Sequence, residues 1–150
     1  MMKIAIGCDF NALDLKNAII DLLKEKKVEY KDFGTFTRDP IDYPDIAKKV
    51  AYAIAEGKFE RGILICGTGL GMAMAADKVK GIRAATCCNV YQAERAIKSN
   101  NAQIITLGAQ VTGIELAKML VTAWLNSEFQ GGRSERKVEK IMEIEKENFN

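Results

Sequence analysis

The sequence predicts an α/β protein with three layers, a five-stranded parallel sheet lying between helices. Two features carry that prediction. Short apolar runs alternate with amphipathic ones along the whole chain, the signature of repeated β-α units. One of the short runs, "GILIC" (62–66), is apolar throughout, as a strand buried on both faces requires. At 150 residues the chain is read as one domain, 1–150, long enough to bury a substantial core.

The elements follow in order. "KIAIGC" (3–8) reads as the first strand. Residues 12–26 place Leu15, Ile19, Leu22 and Leu23 at helical spacing, with Asn11 as the expected N-cap. The basic "KEKK" (24–27) sits where it would complement the end of that helix's dipole. "VEYKDF" (28–33) alternates as a strand, and 34–44 is rich in turn residues. Pro44 suits the first turn of a helix running to Gly57. After the strand 62–66, a helix begins near Leu70. "GIRAATC" (81–87) is the fourth strand, and Asn89 with Gln92 opens the helix 89–99 in a capping-box-like pattern. "QIITLG" (103–108) is the fifth strand, and Thr112 with Glu115 forms a capping box for the helix 112–125. Past Gly131 and Gly132, residues 133–148 make a charged helix with Val138, Ile141, Met142 and Glu145 on one stripe. Strict alternation implies right-handed crossovers in a Rossmann-like arrangement. Sites in such sheets lie beyond the carboxyl ends of the strands. Cys8–Asp9, Cys66–Gly71, Cys87–Cys88 and Gly108 all fall there.

Bulk properties exclude several classes. Net charge is +2 with acids and bases interspersed, so no nucleic-acid surface is expected. No apolar stretch has the length of a membrane span, and the N-terminus reads as a strand rather than an export signal. The four cysteines, Cys8, Cys66, Cys87 and Cys88, are read as buried, reduced thiols of a cytoplasmic protein. With no CxxC pair and no histidine, a zinc site is not expected.

The most informative stretch is "LICGTGLGMA" (64–73), in which Cys66 ends a strand and Gly67, Gly69 and Gly71 follow at alternate positions. A strand, a glycine loop and a helix make an anion cradle, because glycine lets backbone N–H groups converge and approach a ligand closely. The dinucleotide pattern G-x-G-x-x-G fails because Met72 stands at the last glycine, and no Gly-Lys-Ser/Thr marks a phosphate-binding P-loop. Cys66 then has two readings. Convergent amides could favour its thiolate for chemistry, or it could be the last buried residue of a strand.

The segments "GCDFNALDLK" (7–16), "DFGT" (32–35), "DYPD" (42–45), "GILICGTGLGM" (62–72), "GIRAA" (81–85), "NNA" (100–102), "LGA" (107–109) and "GGR" (131–133) occur in the order and spacing of a known family. The chain resembles ribose-5-phosphate isomerases of type B and galactose-6-phosphate isomerases over nearly its whole length. The resemblance implies aldose–ketose isomerisation of a sugar or sugar phosphate through a cis-enediolate. Cys66 would carry the proton between C1 and C2, assisted by Thr68, with the amides of Gly67, Thr68, Gly69, Leu70 and Gly71 holding the enediolate oxygens. Asp9 would contact substrate, Asn100 would help hold the enediolate, and Tyr43 would line the pocket. It further implies no metal or organic cofactor, and a homodimer or tetramer whose pocket is shared between subunits, the C-terminal helix packing on the neighbour.

Five positions depart from the family pattern. Phe10, Ser99 and Ser134 stand where the resemblance implies histidines, Ser99 replacing the one that assists ring opening. Gln110 and Lys137 stand where it implies arginines, while Arg133 is kept. The proton-transfer loop is therefore retained while ring opening and phosphate grip are expected to weaken. Two functions remain open at this point: an isomerase with an altered substrate, or a non-catalytic member or subunit of a hetero-oligomer.

Overall fold

The computed structural model describes residues 2–149 and has five strands: β1 (Lys3–Cys8), β2 (Glu29–Asp32), β3 (Arg61–Cys66), β4 (Ala84–Thr86) and β5 (Ile104–Gly108). They form one parallel sheet in the order β2-β1-β3-β5-β4. Six helices connect or follow them: α1 (Leu13–Glu25), α2 (Tyr43–Ala55), α3 (Leu70–Ala76), α4 (Val90–Lys98), α5 (Ile114–Leu125) and α6 (Arg133–Asn148).

Alternate strand residues feed two cores. Ile63 and Ile65 pack with Ile19, Leu23, Leu120 and Trp124, so α1, α4 and α5 cover one face. Leu64 and Cys66 pack with Ile46, Val50 and Met72, so α2 and α3 cover the other. The strand order reverses between β1 and β3, which register Cys8 against Ile65. Their carboxyl ends therefore frame the crevice in which such sheets bind ligands. Arg61 sits at the opposite end of β3 and donates to the carbonyls of Trp124 and Ser127 at 2.6 and 2.7 Å, satisfying the end of α5.

Several local expectations are corrected. Asn11 does not cap the first helix. Asp9 caps a 3-10 turn, Phe10–Ala12, by accepting the Asn11 N–H at 3.0 Å, and α1 follows from Leu13. Thr112 is not the cap of α5, whose N-cap is Gly113. The chain turns so tightly after β5 that the N–H groups of Val111 and Thr112 both donate to the Gly108 carbonyl, and Thr112 is buried in that turn. β4 is only three residues long, since an edge strand has one neighbour to pair with. Asn89 does cap α4, accepting from Gln92 N–H at 2.8 Å, but Gln92 answers to Cys88 N–H. Cys88 is exposed rather than buried, because it lies in the turn after β4. All four cysteines are free thiols.

α6 lies outside the three layers, along the β4 edge. Val138 is buried within its own chain, Glu145 accepts the Gly81 N–H at 2.8 Å, and Met142 touches Arg83. Ile141 and Ile144 on the same helix stay 45% and 61% exposed. A cavity of about 540 Å³ opens between α6 and the start of β4, lined by Arg83, Asn100 and Met142 among others. No helix among the described residues is long and apolar enough to cross a membrane.

Candidate active site

Cys66 ends β3 with 5% of its surface exposed, and its side chain lies on the face covered by α2 and α3. The chain must reverse there from strand to helix within three residues. Gly69 makes this possible by adopting φ +82, and a Cβ at Gly69 would lie 2.9 Å from the Leu107 backbone. The turn brings the Gly69 N–H to Cys66 Sγ at 3.2 Å, so that the sulfur accepts a backbone donor. Thr106 and Thr86 donate to the Gly69 carbonyl at 2.8 and 3.2 Å and lock the loop against β5 and β4. Thr68 is exposed, and its Oγ1 accepts the Leu70 N–H at 3.2 Å. That bond occupies an oxygen lone pair and leaves the hydroxyl proton available to an acceptor in the crevice.

Five more of the expected residues lie at or round this loop. Asp9 follows β1, is 5% exposed, and its N–H donates to the Ile65 carbonyl one residue before Cys66. Burial raises the Asp9 carboxyl pKa, while the backbone and side-chain donors of Asn11 oppose the rise. Phe10 is half-buried at the start of the 3-10 turn that Asp9 caps. Tyr43 opens α2, and its ring covers Gly71 so closely that a Cβ there would overlap it. Gln110 donates its N–H to the Gly67 carbonyl at 2.9 Å, and its side chain drapes over Gly67. Leu70 is 58% exposed at the start of α3.

The other four candidates, Ser99, Asn100, Arg133 and Lys137, are elsewhere. Ser99 and Asn100 end α4, which begins beyond the carboxyl end of β4 and runs back along the sheet. Gln103, just past them, accepts the Gly62 N–H on its backbone carbonyl at the amino end of β3. Cys66 is four strand residues further on, roughly 13 Å at the usual rise. Gln130 donates its N–H to the Lys98 carbonyl, which brings the start of α6, with Arg133, to the same edge. Lys137 follows one turn later and is exposed. Within one chain, the candidates fall into two groups, one round the carboxyl end of the central strand β3 and one on the β4 side of the sheet.

A family model described as Ribose/Galactose Isomerase matches residues 4–141. The chain belongs to the ribose/galactose isomerase family. It is an intramolecular oxidoreductase that interconverts an aldose and a ketose. It is 52% identical over 147 residues to the "Ribose-5-P isomerase B" of Listeria innocua, covering 98% of this chain and 99% of that one. It is 55% identical over 143 residues to the "D-erythrulose-4-phosphate isomerase" of Pectobacterium atrosepticum, covering 94% and 93%. The solved ribose-5-phosphate isomerase B of Clostridium thermocellum superposes with a TM-score of 0.95 at 51% identity, covering 97% and 99%.

One buried residue behind this candidate site escaped the sequence reading. Lys16 on α1 has no exposed surface, and its Nζ donates to Asp32 at 2.8 Å and to the Thr35 carbonyl at 2.6 Å, under the Phe36 ring. Asp32 also accepts the Gly34 N–H, and the Gly34 carbonyl accepts the Cys8 N–H. Lys16 thus ties the chain beyond β2 to the strand end that carries Asp9. A signal did exist: Lys16 precedes buried Ile20 by four residues, on the apolar side of α1.

Proposed function

We propose that this chain isomerises short-chain sugar phosphates, with Cys66 as the group that carries the proton between C1 and C2. The Cys66 thiolate takes the C2 proton of the open-chain aldose. The C2–H electron pair forms the C1=C2 bond, and the carbonyl pair moves to O1 as an enediolate. A proton passes from O2 to O1, and the thiol returns its proton to C1, leaving the ketone at C2. Net, one hydrogen moves from C2 to C1 and one from O2 to O1, with nothing gained or lost. The Thr68 hydroxyl and the loop amides are aimed where the enediolate charge develops. Gly69 and Leu70 N–H already serve Cys66 and Thr68, which directs that role to Gly67, Thr68 and Gly71.

The observation that carries this reading is the Gly69 N–H on Cys66 Sγ at the β1–β3 switch point. Asn100, Arg133 and Lys137 would reach the pocket from a second copy of the chain, whose β4 side completes it. Exposed Ile141 and Ile144 on α6 support such a copy. The names of the relatives bring four- and five-carbon phosphates as candidates. The test is solvent deuterium incorporation at C1 of the ketose formed during turnover of D-erythrose 4-phosphate. Cys66→Ser is expected to lower it by about 10²–10⁴-fold or more, while ligand binding persists. Equal incorporation in both proteins would reduce Cys66 to a packing residue.

A further inference from the structure

We infer that Thr106 and Thr86 are a positioning pair for the Thr68 hydroxyl: through the Gly69 carbonyl they fix the peptide plane whose N–H holds that hydroxyl at the crevice. The inference rests on the isomerase reading above and adds to it two residues that stand behind the loop.

Burial alone does not call for these threonines. Thr106 has no exposed surface and lies between Leu64 on β3 and Thr86 on β4, on the sheet face shared by Leu64, Cys66 and Ile104. A valine would fill the same space with no polar group to desolvate, and a buried hydroxyl costs stability unless it is bonded. The bonds of this pair converge on one atom. Thr106 Oγ1 donates to the Gly69 carbonyl at 2.8 Å, Thr86 Oγ1 reaches the same carbonyl at 3.2 Å, and the two hydroxyl oxygens lie 2.8 Å apart. Each hydroxyl has one proton to give, so the pair ends on that carbonyl whether Thr86 donates to it directly or through Thr106.

The carbonyl is not short of a donor. Gly69 is the N-cap of α3, and its carbonyl already accepts the Ala73 N–H at 3.2 Å. What the hydroxyls add is orientation. A peptide unit is planar and trans, so the C=O and N–H of the Gly69–Leu70 unit point in opposite directions. Holding the carbonyl toward β5 and β4 aims the Leu70 N–H the other way, at Thr68 Oγ1, 3.2 Å off. Gly69 restrains this plane little by itself, because at φ +82 and ψ -16 it has no Cβ to narrow its rotation. Without the two hydroxyls, one bond in the first turn of a seven-residue helix is left to hold it. When the plane turns, the Leu70 N–H leaves Thr68, and the hydroxyl loses the bond that keeps its proton for the developing enediolate.

The experiment is a double-mutant cycle on kcat and KM, with D-erythrose 4-phosphate and D-ribose 5-phosphate as the substrates offered. Thr106→Val is expected to lower kcat with KM nearly unchanged. Thr86→Val/Thr106→Val is expected to lower kcat further, toward the loss of about 10²–10³-fold that follows removal of an oxyanion donor. Thr106→Ser keeps the hydroxyl and is expected to restore most of kcat. In a Thr68→Ala background there is no hydroxyl left to position, and Thr106→Val is expected to leave kcat nearly unchanged. A merely structural Thr106 would lower kcat by the same factor in both backgrounds. That result, or full kcat in the double valine variant, would overturn the inference while leaving the isomerase reading intact. If Thr106→Val does not fold, Thr86→Val on the three-residue edge strand carries the same cycle against Thr68→Ala. Wild-type protein that turns over neither substrate would overturn the isomerase reading, and this inference with it.

Discussion

Cys66 has one N–H donor, that of Gly69 at 3.2 Å, and the chain has no imidazole to serve it instead. α3 is only seven residues long, so the local amide, rather than a helix dipole, is the polar group set against this sulfur. Cys8 and Cys87 contrast with it. Burial pushes both thiols up from 9.0 to about 11, against the pull of Lys16 on Cys8 and with a further push from Cys88 on Cys87. A folded-state pKa raised above the unfolded one gives stability that is complete below pH 9 and is lost as pH rises through 11. Each shift of about two pKa units corresponds to roughly 2–3 kcal/mol over that window. Urea unfolding at intervals from pH 8 to 11 should therefore show a falling stability. The fall should be shallower in a Cys8→Ala/Cys87→Ala variant, and equal slopes would remove the two thiols as its cause.

The loop between β3 and α3 is held from two sides, and the two sides differ in how they would yield. A Cβ at Gly108 would meet the Thr68 backbone at 2.6 Å, and the loop has no side chain there to swing aside. Gly108→Ala should cost about 1–3 kcal/mol in thermal or urea unfolding and move Thr68. At Gly71 the obstacle is the half-exposed Tyr43 ring, which can rotate out. Gly71→Ala should leave stability nearly unchanged and lower kcat/KM by displacing Tyr43. The reverse pattern would mean that the ring, not the backbone, fixes the loop. β1 and β3 were legible because burial on both faces writes an unbroken apolar run. The cap of α5 was misread because Thr112 and Glu115 carry the right letters, while the tight turn after Gly108 consumes Thr112 first. Lys16 was passed over because a lysine beside an apolar stripe normally reaches solvent, and its partner Asp32 lies on a separate strand.

Across the molecule, the glycine loop and Asp9 were legible from pattern because both follow strands at the carboxyl end of the sheet, whereas Tyr43 and Gln110 came from the family resemblance. What sequence pattern alone could not place was the distance to Ser99, Asn100, Arg133 and Lys137. That distance depends on α4 running the full depth of the sheet and on Gln130 docking against Lys98. In a two-fold symmetric dimer each pocket would take its Cys66 edge from one chain and its Asn100 edge from the other. Chains carrying Cys66→Ser and chains carrying Asn100→Ala with Arg133→Ala can be co-expressed under different affinity tags and the mixed dimer purified through both. Each parent dimer should be nearly inactive, whereas the mixed dimer has one intact pocket of two and should show about half the wild-type rate. A mixed dimer no more active than its parents, or a chain that sediments as a monomer at working concentration, would contradict a pocket built from two copies.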